Sequence, residues 1–253
     1  MKNIRIIPRL DIKGPNVIKG IHCEGLRVVG NPKELAAKYY KEGADELLYI
    51  DIVASLYERN FDFEQFKNAV SDVYIPITAG GGIRSHQDIE KALRSGADKV
   101  AINTFAINNQ EFITSSAKKF GSQCIVLQID AKIVRDMTWE AYTDGGREKT
   151  GINAVKWAKR AVELGAGEIL ITSIDQEGMQ TGYDLDLLNK ISNAVNVPII
   201  ACGGAGDDLS VSDAITKGLT DAIGAASIFH YNTSEIPKLK QYLAKENITT
   251  RII

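Results

Sequence analysis

The chain has 253 residues, of which 44% are hydrophobic and 25% charged, so it can bury one large core. A formal net charge of −2 at pH 7 gives no basic footprint of the kind that nucleic-acid-binding proteins carry. No apolar run approaches the roughly 20 residues of a membrane span. We therefore expect no nucleic-acid partner and no membrane partner.

Short β-branched runs alternate along the chain with amphipathic segments of helical length. The runs predict strands near residues 4–11, 46–51, 75–79, 98–102, 124–130, 168–173, 197–201 and 221–225. The segments predict helices near residues 32–42, 61–72, 86–95, 109–119, 152–164, 184–195, 208–217 and 234–245. Such alternation at this length is typical of an α/β fold, a single (β/α)8 TIM barrel over residues 1–253.

Two connections are longer than a barrel needs, at residues 12–31 and 131–150. The second contains the segment 138–143, whose composition is compatible with a small hairpin. Long loops at the strand ends are where barrel enzymes place their substrate contacts.

The second half of the chain repeats the first. Residues 43–52 return as residues 165–174 with five of ten positions identical, at an offset of 122. The glycine pair at 81–82 returns at the same offset as 203–204. We expect two half-barrels, approximately residues 1–122 and 123–253.

Asp11 and Asp130 are the candidate catalytic residues. Each ends the first strand of its half, and these two strands lie opposite one another in a barrel. A single such aspartate would more often cap a loop or pair with a lysine. The symmetric pair favours a general acid and a general base facing one another across the barrel mouth.

Two glycine clusters, in residues 80–82 and 203–206, follow the third and seventh strands. Glycine allows backbone N–H groups to close around an anion, although ordinary tight turns also favour it. Residues with hydroxyl or amide groups follow the next strand in each half, so we predict two phosphate sites and a substrate with a phosphate at each end. The predicted ligands are Gly81, Gly82, Asn103 and Thr104 on one side, and Gly203, Gly204, Ala226 and Ser227 on the other.

Four charged residues begin strands at the opposite end of the barrel: Arg5, Glu46, Lys99 and Glu168. Strand periodicity predicts that Arg5 and Asp11 both point into the barrel. Two basic and two acidic groups would form a neutral ring, which on physical grounds alone is more often structural than functional.

Metal and nucleophile chemistry have little support in the sequence. The three histidines lack metal-ligand spacing, and the three cysteines are odd in number and far apart. The first residues also lack a secretory leader pattern. We therefore predict no metal, no cofactor and a location in the reducing cytoplasm.

The chain resembles the cyclase subunit of imidazole glycerol phosphate synthase along essentially its whole length. The motifs that carry the resemblance include residues 5–8, 10–11, 17–20, 45–47, 51–55, 80–84, 96–100, 102–104, 121–123, 129–132, 165–170 and 203–206.

The resemblance implies a lyase of histidine biosynthesis that works with a glutaminase subunit docked at the N-terminal face of the barrel. Ammonia would pass through the barrel and attack a bis-phosphorylated ribulosyl formimino-aminoimidazole carboxamide ribotide. Ring closure and cleavage would give imidazole glycerol phosphate and an aminoimidazole carboxamide ribotide. It also assigns Asp11 and Asp130 as catalytic, adds Lys19, Thr172 and Gly178 to the substrate site, and implies that Arg5, Glu46, Lys99 and Glu168 form the ammonia gate.

The chain departs from the family pattern where Arg9 replaces a usual cysteine. Arg9 shares strand parity with Asp11, so we expect it to point inward, where its charge would favour an ionised Asp11. Residues 14–16 replace a usual Asp-Gly. Glu177 and Met179 also stand where the family has a shorter carboxylate and a hydroxyl. These departures leave open a cyclase-like paralogue that delivers ammonia to a sugar amidotransferase of surface-polysaccharide synthesis. The sister isomerase is disfavoured by the Lys99 and Glu168 pair.

Overall fold

The computed structural model describes residues 3–251, which form twelve strands and ten α-helices. The strands are β1 (Arg5–Lys13), β2 (Asn16–Ile21), β3 (Glu24–Gly30), β4 (Leu47–Asp51), β5 (Ile77–Gly80), β6 (Lys99–Ile102), β7 (Ile125–Arg135), β8 (Thr138–Thr143), β9 (Glu148–Asn153), β10 (Glu168–Ser173), β11 (Ile199–Cys202) and β12 (Ala222–Ala225). The helices are α1 (Pro32–Lys41), α2 (Phe63–Ala69), α3 (His86–Arg94), α4 (Thr104–Asn108), α5 (Glu111–Phe120), α6 (Ala154–Leu164), α7 (Leu185–Ala194), α8 (Asp208–Thr216), α9 (Ser227–His230) and α10 (Ile236–Lys245).

Eight parallel strands close into a barrel in the order β1, β4, β5, β6, β7, β10, β11, β12 and back to β1. Each barrel strand is followed by at least one helix before the next barrel strand begins. The predicted (β/α)8 barrel is confirmed, and all eight predicted strands and all eight predicted helices are present.

The barrel interior is filled with side chains rather than open. A buried apolar cluster lies inside the strands, separate from the larger core between strands and helices. Strands buried on both faces read as continuous apolar runs, which explains why β-branched stretches located them in the sequence. The interior cluster consists of Ile7, Leu48, Ile50, Ala101, Val126, Leu170, Ile200, Cys202 and Ala222.

Aspartates in three helix-to-strand turns stabilise the closed end of the barrel. Each carboxylate accepts the backbone N–H of a residue in the neighbouring strand, at 2.7–2.8 Å. Such bonds satisfy buried backbone donors where the regular ladder begins. The pairs are Asp45 with Ile6, Asp98 with Ile77, and Asp221 with Ile199.

Both long connections form antiparallel hairpins on the mouth of the barrel. The strands β2 and β3 continue from β1, and β8 and β9 continue from β7. The hairpin in the second connection agrees with the composition of residues 138–143. The hairpin in the first was not predicted. β2 is buried at residues 17–19 whereas β3 is mostly exposed, so the two strands share no clear apolar alternation, and glycines at positions 20, 25 and 30 interrupt them.

No helix in the described part of the chain is long and apolar enough to cross a membrane. The longest, α6, has eleven residues. The short helices α4 and α9 follow barrel strands β6 and β12, so they contribute to the mouth together with the hairpins.

Candidate active site

The carboxyl ends of the barrel strands surround two adjoining cavities. The larger, about 600 Å³, lies on the side of β4 to β7, and the smaller, about 30 Å³, lies on the side of β10 to β12. Four charged residues border both cavities: Arg9, Asp11, Lys19 and Glu177. All predicted mouth residues line one or the other: Gly81, Gly82, Asn103, Thr104 and Asp130 the larger, and Thr172, Gly178, Gly203, Gly204, Ala226 and Ser227 the smaller.

Asp11 is buried beside Arg9, two residues earlier on the same face of β1. The guanidinium donates from Nε to Asp11 Oδ1 at 2.8 Å, and from a terminal nitrogen to Thr172 Oγ1 at 2.9 Å. Burial alone would raise the pKa of Asp11, but the charges of Arg9 and Lys19 outweigh it, so this pKa is lowered. The predicted effect of Arg9 on Asp11 is therefore present in the structure.

Asp130 lies on β7 in a different environment. Its carboxylate accepts hydrogen bonds from Asn103 Nδ2 at 3.0 Å and from Gln128 Nε2 at 3.2 Å. Burial raises the pKa of Asp130, and the charge of Arg9 together with these hydrogen bonds offsets only part of the effect.

The pKa values of the two aspartates are thus moved in opposite directions. Burial dominates at Asp130 and favours the protonated acid, whereas the neighbouring cations dominate at Asp11 and favour the carboxylate. Two carboxyl groups separated in this way can act as a proton donor and a proton acceptor.

The glycine turns adopt the same conformation in both halves of the barrel. Gly81 has φ +96° and Gly203 has φ +88°. Each packs against the carbonyl of the residue that ends the neighbouring strand, which is Asp51 for Gly81 and Ser173 for Gly203. A side chain at either position would collide with that carbonyl. The turns therefore hold the backbone close to the cavity, as an anion cradle requires.

The side chains predicted to assist these cradles are partly engaged by the protein. Asn103 Nδ2 bonds to Asp130 and to the Tyr142 carbonyl, and Thr172 Oγ1 accepts from Arg9. Thr104 Oγ1 accepts the backbone N–H of Asp144 at 3.1 Å, which leaves its hydroxyl proton free to donate.

Lys19 reaches the mouth from β2 and forms a buried ion pair with Glu177. The other oxygen of Glu177 accepts the backbone N–H of Cys23 at 2.9 Å, and its carbonyl accepts that of His22 at 2.9 Å. The loop after β10 is therefore fastened to the β2–β3 hairpin beside the smaller cavity.

The four charged residues at the opposite end form a closed ring. Arg5 contacts Glu46 at 2.8 Å and Glu168 at 2.6 Å, and Lys99 contacts the same two carboxylates at 3.0 and 2.8 Å. Each cation thus bridges both anions, as the parity of these positions predicts. A cavity of about 270 Å³, lined by Arg5, Lys99 and Glu168, lies at this end.

The histidines are engaged in contacts away from any metal-binding group. His230 Nδ1 lies 2.6 Å from the Tyr39 hydroxyl, His86 Nε2 lies 3.0 Å from Ser115 Oγ, and His22 bonds to a backbone carbonyl. Within residues 3–251, no three histidine, cysteine, aspartate or glutamate side chains form a group able to hold a metal ion.

The family model for histidine biosynthesis proteins matches residues 5–235. The chain belongs to this family. Curated relatives named imidazole glycerol phosphate synthase subunit HisF are 58% identical over 81% of this chain and 97% of the relative in Legionella pneumophila, and 47% identical over 98% of both chains in Alkaliphilus metalliredigens. A third relative with this name, from Dehalococcoides mccartyi strain BAV1, is 46% identical over 100% of this chain and 99% of its own.

Two residues at the site of this histidine biosynthesis protein, Gln128 and Asp51, were not among the predicted site residues. Gln128 shares strand parity with Asp130, so the signal that located Arg9 could have found it. Asp51 ends β4 beside the larger cavity and is held by Arg59 at 2.7 Å. The position of Asp51 at a strand end could have indicated a site residue. Its ion pair with Arg59 could not be predicted, because Arg59 lies in an irregular segment without a sequence pattern.

Proposed function

We propose that this protein is the cyclase of imidazole glycerol phosphate synthase. It is a lyase that joins ammonia to the bis-phosphorylated ribulosyl formimino-aminoimidazole carboxamide ribotide. The products are imidazole glycerol phosphate, an aminoimidazole carboxamide ribotide and one water molecule, which carries away the carbonyl oxygen that ammonia replaces. The observation that carries this proposal is the pair of oppositely perturbed aspartates, placed between two glycine-lined turns at one barrel mouth.

The two aspartates take separate roles in this reaction. Asp130, whose pKa is raised by burial, donates a proton to the group that leaves during cleavage. Asp11, kept ionised by Arg9 and Lys19, accepts a proton from the attacking nitrogen as it becomes bonded to carbon. Asn103 and Gln128 orient the Asp130 carboxyl through their hydrogen bonds.

The substrate lies across the mouth with one phosphate at each glycine turn. On the open side the phosphate meets the backbone of Gly81 and Gly82 and the hydroxyl of Thr104. On the other side it meets the backbone of Gly203 and Gly204 and the hydroxyl of Ser227. Backbone N–H groups and hydroxyls are suitable donors to phosphate oxygens.

Ammonia comes from a glutaminase subunit that docks at the N-terminal face of the barrel. The printed name of the relatives, a synthase subunit, supports the existence of a partner. The ring of Arg5, Glu46, Lys99 and Glu168 lies at that face and acts as the ammonia gate.

The alternative function is ammonia delivery to a sugar amidotransferase, with reduced cyclase activity. Arg9 lies inside the barrel, and Glu177 forms an ion pair with Lys19. These two features favour the alternative function. The three relatives reported above all carry the synthase name, which favours the cyclase.

The test is a direct assay of the purified protein with the bis-phosphate substrate and an ammonium salt at alkaline pH. We expect loss of substrate absorbance without any glutaminase present. Asp130→Asn should lose about 10²–10⁴-fold in turnover, the usual contribution of a general acid. A folded protein that leaves the substrate unchanged would contradict the proposal.

A further inference from the structure

We propose that Glu177 is a specificity-determining residue that masks the second phosphate cradle, so that a phosphate enters only when this carboxylate releases Lys19. The inference rests on the proposed function, because it treats the cradle at β10 to β12 as a phosphate site of the substrate. The chain duplication makes the glycine cradles after β5 and β11 equivalent in sequence, yet the cavities beside them are unequal.

The two cradles differ greatly in the space that they offer. The cavity at Gly82 and Thr104 has about 600 Å³, whereas the one at Gly204 and Ser227 has about 30 Å³. By the same measure one water molecule needs about 10–15 Å³, so the smaller cavity has room for about two water molecules. The space at Gly204 is therefore far tighter for a phosphate group than the space at Gly82.

The Glu177 carboxylate lines the smaller cavity and holds two hydrogen-bond donors beside the cradle. It pairs with Lys19 and accepts the backbone N–H of Cys23, which are the kinds of donor that a phosphate oxygen uses. Lys19 and Glu177 are 7% and 8% exposed, so the pair is shielded from competing water. The protein therefore supplies its own anion where the substrate anion has to bind.

Release requires movement of the Glu177 side chain rather than of the backbone. Gly178 has φ +77° and packs against the Gly20 carbonyl, which fixes the backbone beside it. A groove of about 730 Å³ lies next to the cradle, lined by Lys19, Gly178, Ser227 and the exposed Arg27. Arg27 provides a cation that can receive the displaced carboxylate.

Masking also predicts an order of binding. The first phosphate enters the open cradle at Gly82 without displacing any protein group. The second phosphate has to exchange with Glu177, so Lys19 changes its partner from a carboxylate to a phosphate. Ligands with a single phosphate should bind at the open cradle alone.

The experiment is a titration with inorganic phosphate followed by amide shifts in the ¹H–¹⁵N spectrum. In the natural protein we expect saturable shifts at Gly82 and Thr104 and none at Gly204 and Ser227 over the same range. In Glu177→Gln, both sets of amides should titrate. Glu24→Gln removes the same charge from an exposed position beside the groove and should behave like the natural protein.

Glu177→Ala provides a second variant, because a glutamine carbonyl can still accept a hydrogen bond from Lys19. The proposal is overturned if Gly204 and Ser227 titrate together with Gly82 in the natural protein. It is also overturned if they stay unshifted in both folded Glu177 variants. These phosphate titrations do not depend on turnover. Failure of the proposed function would be detected separately, in the cyclase assay.

A kinetic readout separates masking from a merely structural role. With the bis-phosphate substrate, Glu177→Gln should lower KM by about tenfold, or ~1.4 kcal/mol, with a much smaller change in kcat. A structural role would instead lower the melting temperature and kcat together, leaving KM unchanged.

Discussion

The guanidinium of Arg9 lies near two buried aspartates but hydrogen-bonds to only one of them, Asp11. Its charge lowers the pKa of both, yet burial still prevails at Asp130. One side chain thus produces unequal acids from two aspartates at equivalent places of the chain duplication. The proposed catalytic roles of the two aspartates therefore follow from the neighbouring residues rather than from the fold.

Replacing the two aspartates by asparagine should have opposite effects on stability. Because its folded pKa is raised, Asp130 favours folding below its unfolded pKa, and this contribution is lost as pH rises through the folded pKa. Asp130→Asn should therefore raise the melting temperature at pH 7. Asp11→Asn leaves Arg9 buried without its anion and should cost about 3 kcal/mol.

The melting temperatures of Asp11→Asn and Asp130→Asn can be compared by thermal unfolding at pH 7, monitored by circular dichroism. Asp11 has a lowered folded pKa, so its contribution to stability is present above the unfolded pKa and fades as pH falls through the folded pKa. The stability gap between the variants should narrow in acid. Equal destabilisation by both substitutions at pH 7 would contradict the assigned charge states.

Arg9→Met should shift the pH profile of turnover. Without the guanidinium, burial of Asp11 is opposed mainly by Lys19, so the pKa of Asp11 rises. Since the base must be ionised, the acid limb of kcat/KM should move to higher pH. Arg160→Met, at an exposed position of α6, is the control and should leave the profile unchanged. An unchanged acid limb in Arg9→Met would argue against Asp11 as the base.

At the scale of elements, the glycine turns after β5 and β11 position the backbone of both cradles. Gly81→Ala should destabilise the protein and weaken phosphate binding, because the added Cβ meets the Asp51 carbonyl. Gly151 has a similar positive φ, +72°, but open space around it. Gly151→Ala therefore carries the backbone penalty alone.

The difference between the two alanine variants measures the steric contact. We expect Gly81→Ala to be about 2 kcal/mol less stable than Gly151→Ala in urea unfolding, as is usual for overpacking. Binding of inorganic phosphate should weaken only in Gly81→Ala. Equal stability of the two would show that the turn tolerates a side chain and does not require glycine.

The barrel elements could be predicted because their apolar runs are long and regularly spaced. The β2–β3 hairpin could not, since β3 is mostly exposed and three glycines interrupt the two strands. The contact of Arg9 with Thr172 joins residues 163 positions apart, and no local signal predicts such a pair. Parity along β1 does predict that Arg9 and Asp11 point into the barrel together, because side chains alternate strictly along a strand, but it does not predict the hydrogen bond between them.

At the scale of the whole molecule, the barrel separates two polar sites by an apolar interior. The mouth holds the aspartates and cradles, and the charged ring closes the other end. Between them lies the cluster that includes Ile7, Leu48 and Leu170. The division into half-barrels at residues 1–122 and 123–253 remains a prediction, with β1 and β7 each followed by a hairpin.

Lys99→Met should separate ammonia supply from ammonia chemistry. The variant leaves Glu46 and Glu168 bridged by Arg5 alone and keeps the mouth intact. With a glutaminase subunit and glutamine, we expect turnover to fall about tenfold, or ~1.4 kcal/mol. With ammonium salt it should stay near the natural rate, and Lys132→Met, exposed at the mouth end, should leave both rates unchanged. If Lys99→Met lowers turnover equally with glutamine and with ammonium salt, the ring does not act as an ammonia gate.

In the proposed reaction, ammonia supplies one nitrogen of an imidazole ring. We would supply ¹⁵N-ammonium and the bis-phosphate substrate to the purified protein and examine the products by ¹⁵N nuclear magnetic resonance. We predict label in the ring of imidazole glycerol phosphate and none in the aminoimidazole product. Unlabelled, unchanged substrate after incubation with folded protein would contradict it.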